Sequence, residues 1–166
     1  MNSIKHTISD KTLFEQQLLS YFKSEKNIAF LNSNDNSKRN LFAISSSNRV
    51  DEANWKFGFI TYDYKNQIEA LTSMHSDGIR FPIKHFFSPE ILFIINEFSV
   101  SILYNEDFFT AKEIRAKITE IELVSIEEHN VVQTNIKPRV TKEKYLENVN
   151  HLKQHIQLGD IYEVNY

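Results

Sequence analysis

Ile91-Leu92-Phe93-Ile94-Ile95-Asn96-Glu97-Phe98-Ser99-Val100-Ser101-Ile102-Leu103-Tyr104 decides the fold. Two runs of β-branched and aromatic residues, Ile91–Ile95 and Val100–Tyr104, flank a short turn at Asn96–Ser99, the pattern of a β-hairpin. A hairpin pairs its strands antiparallel. Elsewhere the chain shows no regular strand–helix–strand alternation. The sequence therefore predicts an α+β fold, a mixed, mostly antiparallel sheet with flanking helices.

Upstream, Trp55 to Tyr64 alternates. Trp55, Phe57, Phe59 and Thr61 fall on one side, and Gly58, Ile60 and Tyr62 on the other. This reads as a central strand with one glycine where something packs close. Ile28–Leu31 and Leu41–Ser45 read as two further strands. The polar loop Asn32 to Asn40 between them is longer than an ordinary hairpin loop, a hint of function. Ser45 to Asn54 is a polar connector. A helix is expected from Asp10 to Lys23, with Phe14, Leu18, Tyr21 and Phe22 on one face and Ser9 or Asp10 as cap.

Downstream of the hairpin, Ala111, Ile114, Ile118 and Ile121 mark a second helix, with Asn105 or Asp107 as the expected cap. Ser125 to Arg139 is a polar connector that reads as a domain boundary, giving one domain over 1–139 and the beginning of another over 140–166. Thr141 caps a third helix, on which Tyr145, Val149, Leu152 and Ile156 form a stripe. Gly159 is its stop, because glycine takes a left-handed conformation at little cost. Ile161 to Tyr166 then reads as a strand, and the expectation is that this chain is the front part of a longer protein.

Composition narrows the function classes. The chain has 166 residues, with 13 Phe, seven Tyr and one Trp to fill a core. A net charge of -3 gives no electrostatic reason to expect nucleic acid or an anionic membrane as partner. The absence of cysteine excludes disulfides, a thiolate nucleophile and a Cys-ligated zinc site. Only three glycines occur, too few and too dispersed for a phosphate-cradling loop. The first thirty residues carry no signal pattern and no apolar run approaches membrane-spanning length, so the chain reads as soluble and cytoplasmic.

No catalytic residue and no metal ligand emerges from the residues themselves. His151 and His155 stand four apart on a helix but lack the Glu of the zinc-protease pattern; they read as two histidines near a solvated face. Asp63, Glu69 and Asp77 follow the Trp55–Tyr64 run without a His or Ser partner and read as surface or capping groups. The basic run from Lys137 to Lys144 reads as a solvated linker and helix start.

Four patches, in order, resemble the anthranilate synthase and aminodeoxychorismate synthase component I family. They are Ala29-Phe30-Leu31-Asn32-Ser33 with Lys38-Arg39-Asn40-Leu41-Phe42-Ala43-Ile44; Trp55 to Tyr64, similar to the family's Gly-x-x-Gly-Tyr-x-x-Tyr-Asp strand; Phe81-Pro82 followed by the Ile91–Tyr104 hairpin; and Gly159-Asp160-Ile161-Tyr162-Glu163-Val164-Asn165. The last resembles the opening of the family's chorismate-binding domain. The resemblance implies a chorismate-aminating activity at C4, fed with ammonia by a glutamine amidotransferase subunit, on the route to para-aminobenzoate and folate. It also implies Mg2+ in the complete enzyme, held by acids beyond this chain, so that this chain by itself would be inactive. Ser33, Lys38, Arg39 and Asn40 are its implied small-molecule site, where relatives bind tryptophan. Members with tryptophan feedback carry Leu-Leu-Glu-Ser at the first patch; here Asn32 puts an amide in place of the carboxylate. Two other readings stay open: the anthranilate or isochorismate/salicylate branch of the family, and a stand-alone small-ligand-binding or regulatory domain.

Overall fold

In a computed structural model, which describes residues 1–34, 39–72, 78–126 and 134–164, the hairpin lies inside a five-stranded antiparallel sheet. Its strands are β1 (Asn2–Thr7), β2 (Asn27–Leu31), β3 (Asn40–Ser45), β6 (Ile91–Ile95) and β7 (Ser99–Tyr104), in the order β1-β7-β6-β3-β2. A separate two-stranded ribbon pairs β4 (Phe57–Ile60) with β5 (Lys84–Phe87). The protein is α+β, and its strand pairs are antiparallel as the hairpin implied. The chain divides into two compact units, Met1–Glu127 and Glu128–Tyr166.

Side chains of one parity line one face of the main sheet. The registers Phe30↔Phe42, Phe42↔Phe93, Phe93↔Ile102 and Ile102↔Ile4 run one apolar row across all five strands. Helices α1 (Lys11–Tyr21) and α3 (Ala111–Glu122) bring Phe14, Leu18, Ile114, Ile118 and Ile121 into the same core cluster. Fully burying each such side chain contributes about 1.5–3 kcal/mol. The opposite parity, Ala43 and Leu92 with Ala29 and Leu103, meets Phe57 and Phe87 of the ribbon. Toward the sheet edge this second face is barer, and Leu31 is 55% exposed.

Helix ends follow from local chemistry. Asp10 caps α1, its carboxylate accepting from Leu13 N at 2.9 Å. The cap of α3 is Thr110, where Asn105 or Asp107 was expected. Thr110 Oγ1 accepts from Glu113 N, and the Glu113 carboxylate accepts from Thr110 N, so two otherwise orphaned donors are satisfied together. Asn105 instead builds the preceding turn, its carbonyl accepting from Phe108 N and Phe109 N. Gln17, buried on α1, donates to the carbonyls of Glu122 and Val124 and so satisfies the end of α3.

Two expectations are corrected here. Trp55 to Tyr64 is not a central strand: β4 covers only Phe57–Ile60 and belongs to the ribbon. Both of its sides are apolar, so alternation did not report which side a sheet would cover. After Thr61, Tyr62–Tyr64 form a 3-10 turn and Lys65–Ile68 a short helix, α2. The glycine was read correctly: a Cβ on Gly58 would lie 2.0 Å from His85 O across the ribbon. The second correction is at the chain's last residues. Helix α4 (Lys142–Leu158) has its Thr141 cap and ends on Gly159 at φ 83°, but Asp160 to Val164 form no strand. A strand needs a neighbour's N–H and C=O groups, and no described strand pairs with this segment. Asn165 and Tyr166 lie outside the described residues. No residue of α4 is fully buried; in its stripe Val149 and Leu152 are half-buried, while Tyr145 is 48% and Ile156 41% exposed. Among the described residues no helix is long and apolar enough to cross a membrane.

Phe93→Ala, at the centre of the row, should cost about 3–5 kcal/mol in urea unfolding. Gly58→Ala should act differently. It should raise amide exchange across β4 and β5 while leaving the five-stranded sheet's protection in place.

Candidate functional site

The loop joining β2 to β3 is closed at its base by Asn40, the first residue of β3 and 1% exposed. Its Oδ1 accepts from Ser33 N at 2.9 Å and from Ser33 Oγ at 3.0 Å. Its Nδ2 donates to Glu15 Oε1 at 2.7 Å. Glu15 sits on α1 and is buried. One amide thus ties the loop to both the sheet and the helix. Asn34, at φ 52°, turns the chain out of β2, its N–H donating to Asn32 Oδ1. A left-handed asparagine with a local side-chain partner is ordinary turn chemistry.

Of the four residues singled out in the sequence, the structure brings Ser33 and Asn40 into direct contact. Arg39 is adjacent in the chain and exposed. Lys38 lies outside the described residues. Glu15 was missed, although a signal existed: Glu15, Leu18 and Phe22 follow one another at spacings of three and four, which places the carboxylate on the apolar face of α1.

A second polar cluster stands at the other end of β3. Ser45, its last residue, and Ser46 both reach Glu90 Oε1, with Oγ distances of 3.2 and 2.8 Å. Asn27, at the start of β2, donates to the carbonyls of Ser45 and Ser47, and its Oδ1 lies 2.8 Å from His85 Nε2. Glu90 also lines a small cleft with Arg49, Asp51, Asn54, Ser88 and Asn105. Its volume of about 20 Å³ is that of a single water site. Asp51 is held below the ordinary carboxylate range, first by the backbone N–H of Ala53 and then by the Asn54 side chain. Its oxygens are committed to that turn, at 3.0 and 2.6 Å from those donors.

Elsewhere the ionisable groups do structural work. Tyr21 donates to the Glu120 carboxylate. Burial first, then that bond and the charges of Glu120 and Glu25, push its hydroxyl up to about 12. On α4 the rings of His151 and His155 meet edge-on at 4.6 Å, and His155 Nδ1 lies 2.7 Å from Asp160 Oδ2. Asp63 is 3.8 Å from Lys65, and Asp77 lies outside the described residues. Among the described residues no three His, Cys, Asp or Glu side chains are placed to share a cation.

Asn40→Leu should cost about 1–3 kcal/mol, because it strands the buried Glu15 carboxylate and the Ser33 N–H. Ser33→Ala should cost less, and urea unfolding of the two variants gives the comparison. Tyr21 gives a pH signature. Its folded pKa lies above the unfolded value of about 10, so its contribution is fully present below pH 10. That contribution fades as pH rises toward 12. Tyr21→Phe should remove this part of the alkaline loss of stability, read from melting curves between pH 9 and 12.

No curated protein matches the chain. A family model described as chorismate binding enzyme matches residues 3–166, across both compact units and nearly end to end. This match over nearly the whole chain places it in the chorismate-binding enzyme family.

Proposed function

We propose that the chain serves the amination of chorismate at C4, as the N-terminal region of an aminodeoxychorismate synthase component I. The observation that carries the reading is the family match over residues 3–166. What favours this branch is the resemblance of the four patches, above all Gly159-Asp160-Ile161-Tyr162-Glu163-Val164-Asn165. In this reading chorismate is the substrate, ammonia comes from a glutamine amidotransferase subunit, and the product leads to para-aminobenzoate in the cytoplasm. Mg2+ would be held by acids outside this chain, and no chemical step is assigned to the residues present.

The β2–β3 loop is proposed as a small-molecule site of the same protein. Ser33, Arg39 and Asn40, with Lys38, would take an amino acid such as tryptophan. Arg39 would pair with its carboxylate. The Ser33 hydroxyl, beside Asn40, would supply a hydrogen-bonding group to the ligand.

Disruption of the gene should create a requirement for para-aminobenzoate. A requirement met by tryptophan instead would move the protein to the anthranilate branch. The purified 166-residue chain, given chorismate, Mg2+ and ammonium, should form no aminodeoxychorismate above a buffer blank. Calorimetric titration with tryptophan should show heat at millimolar ligand that Ser33→Ala abolishes. Absence of heat would leave the loop as structure alone.

A further inference from the structure

The β4–β5 ribbon meets the main sheet through few groups. Phe57 and Phe87 are its buried apolar contacts with Ala43 and Leu92. The registers Phe57↔Phe87 and Phe59↔His85 place these four rings on one face of the ribbon. His85 lies between its neighbours, with ring centroids 6.0 Å from Phe59 and 6.3 Å from Phe87. Its Nε2 reaches Asn27 Oδ1 of the main sheet at 2.8 Å.

The direction of that bond is settled by Asn27. Its Nδ2 faces the carbonyls of Ser45 and Ser47, at 3.3 and 2.9 Å, and Asn48 Oδ1 at 3.1 Å. Backbone carbonyls only accept. A flipped amide would set oxygen against two carbonyl oxygens, so the amide has one orientation. Asn27 Oδ1 therefore accepts, and His85 Nε2 must carry the proton.

We infer that His85 is the latch of the ribbon: an Nε2–H imidazole that donates to an amide fixed by the main sheet. The consequence reaches past β5. Thr61 N and Thr61 Oγ1 both donate to Ile83 O, at 2.9 and 3.0 Å, and close the far end of the ribbon. The Tyr62–Tyr64 turn hangs directly from that closure. Where the ribbon docks therefore sets where Tyr62 and Asp63 are presented. The same ribbon leaves no room for a side chain at Gly58 beside the His85 backbone, so strand pairing and latch converge on one residue.

The inference stands apart from the chorismate reading and is tested without it. Long-range proton–nitrogen correlation on the intact protein should show His85 protonated at Nε2; a neutral ring carrying its proton on Nδ1 would overturn the latch. His85→Phe keeps a ring on the face and removes the donor. It should speed amide exchange at Phe57–Ile60 and Lys84–Phe87 by about tenfold, the scale of one hydrogen bond, with β3 and β6 unchanged. His85→Gln restores an N–H donor and should recover most of that protection. Unchanged ribbon exchange in His85→Phe would equally refute the inference, and the tautomer measurement decides should that variant fail to fold.

Discussion

Phe30, Phe42, Phe93, Ile102 and Ile4 stand directly opposite one another across five neighbouring strands. The row forces much of the rest. A slip of one residue in any strand would turn its apolar set from the helices to the other face. The register is thus held by burial on one side, with α1 and α3 completing the layer. Aromatic contacts reinforce it: Phe42 packs against Phe93, Phe22 and Phe30 with centroids about 6 Å apart. Such pairs contribute roughly 0.5–1.5 kcal/mol beyond their area.

The two faces of this sheet differ in what a sequence can reveal. On the helix side, periodicity and chemistry agree. Phe14 and Leu18 on α1, the isoleucines of α3 and the hairpin strands all carried the right period, and those elements were legible. The strands at the margins were not. β1 buries Ile4 alone, so Asn2–Thr7 offers no alternation; its existence depends on β7, a hundred residues away. β5 is no clearer, with Lys84 and His85 in a four-residue strand. Tertiary pairing decided both, and local pattern does not report it.

The site was legible in part for the same reason. An unusually long loop marked the segment, because length is visible in a chain, and the family resemblance singled out Ser33 and Asn40 within it. Glu15 was overlooked because a carboxylate on a helix is ordinarily read as solvated. Its position on the apolar face of α1 was the contrary signal. The cap of α3 shows the same limit on a smaller scale. Asn105, Asp107 and Thr110 all have capping side chains, and what selects Thr110 is Glu113 three residues on.

Both clusters of buried polar groups lie at the ends of β3. Asn40 opens the strand, bound to Ser33 and Glu15; Ser45 closes it, within reach of Glu90 and Ser47. Between them Phe42, Ala43 and Ile44 are buried. A strand flanked on both sides by partners has its ladder satisfied, but its two ends present backbone and side-chain groups that must find other partners inside the protein. Burying such groups unpaired would be costly. The described residues contain no buried side-chain nitrogen or oxygen without a partner. The polar residues therefore fix the length of β3 as firmly as the apolar row fixes its register. At one end the fixing ties Ser33 to Asn40, and Asn40 to Glu15 of α1. At the other it holds Asn27, and through His85 the ribbon. Position along one strand thus connects the two most distinctive surface features of this unit to the same core.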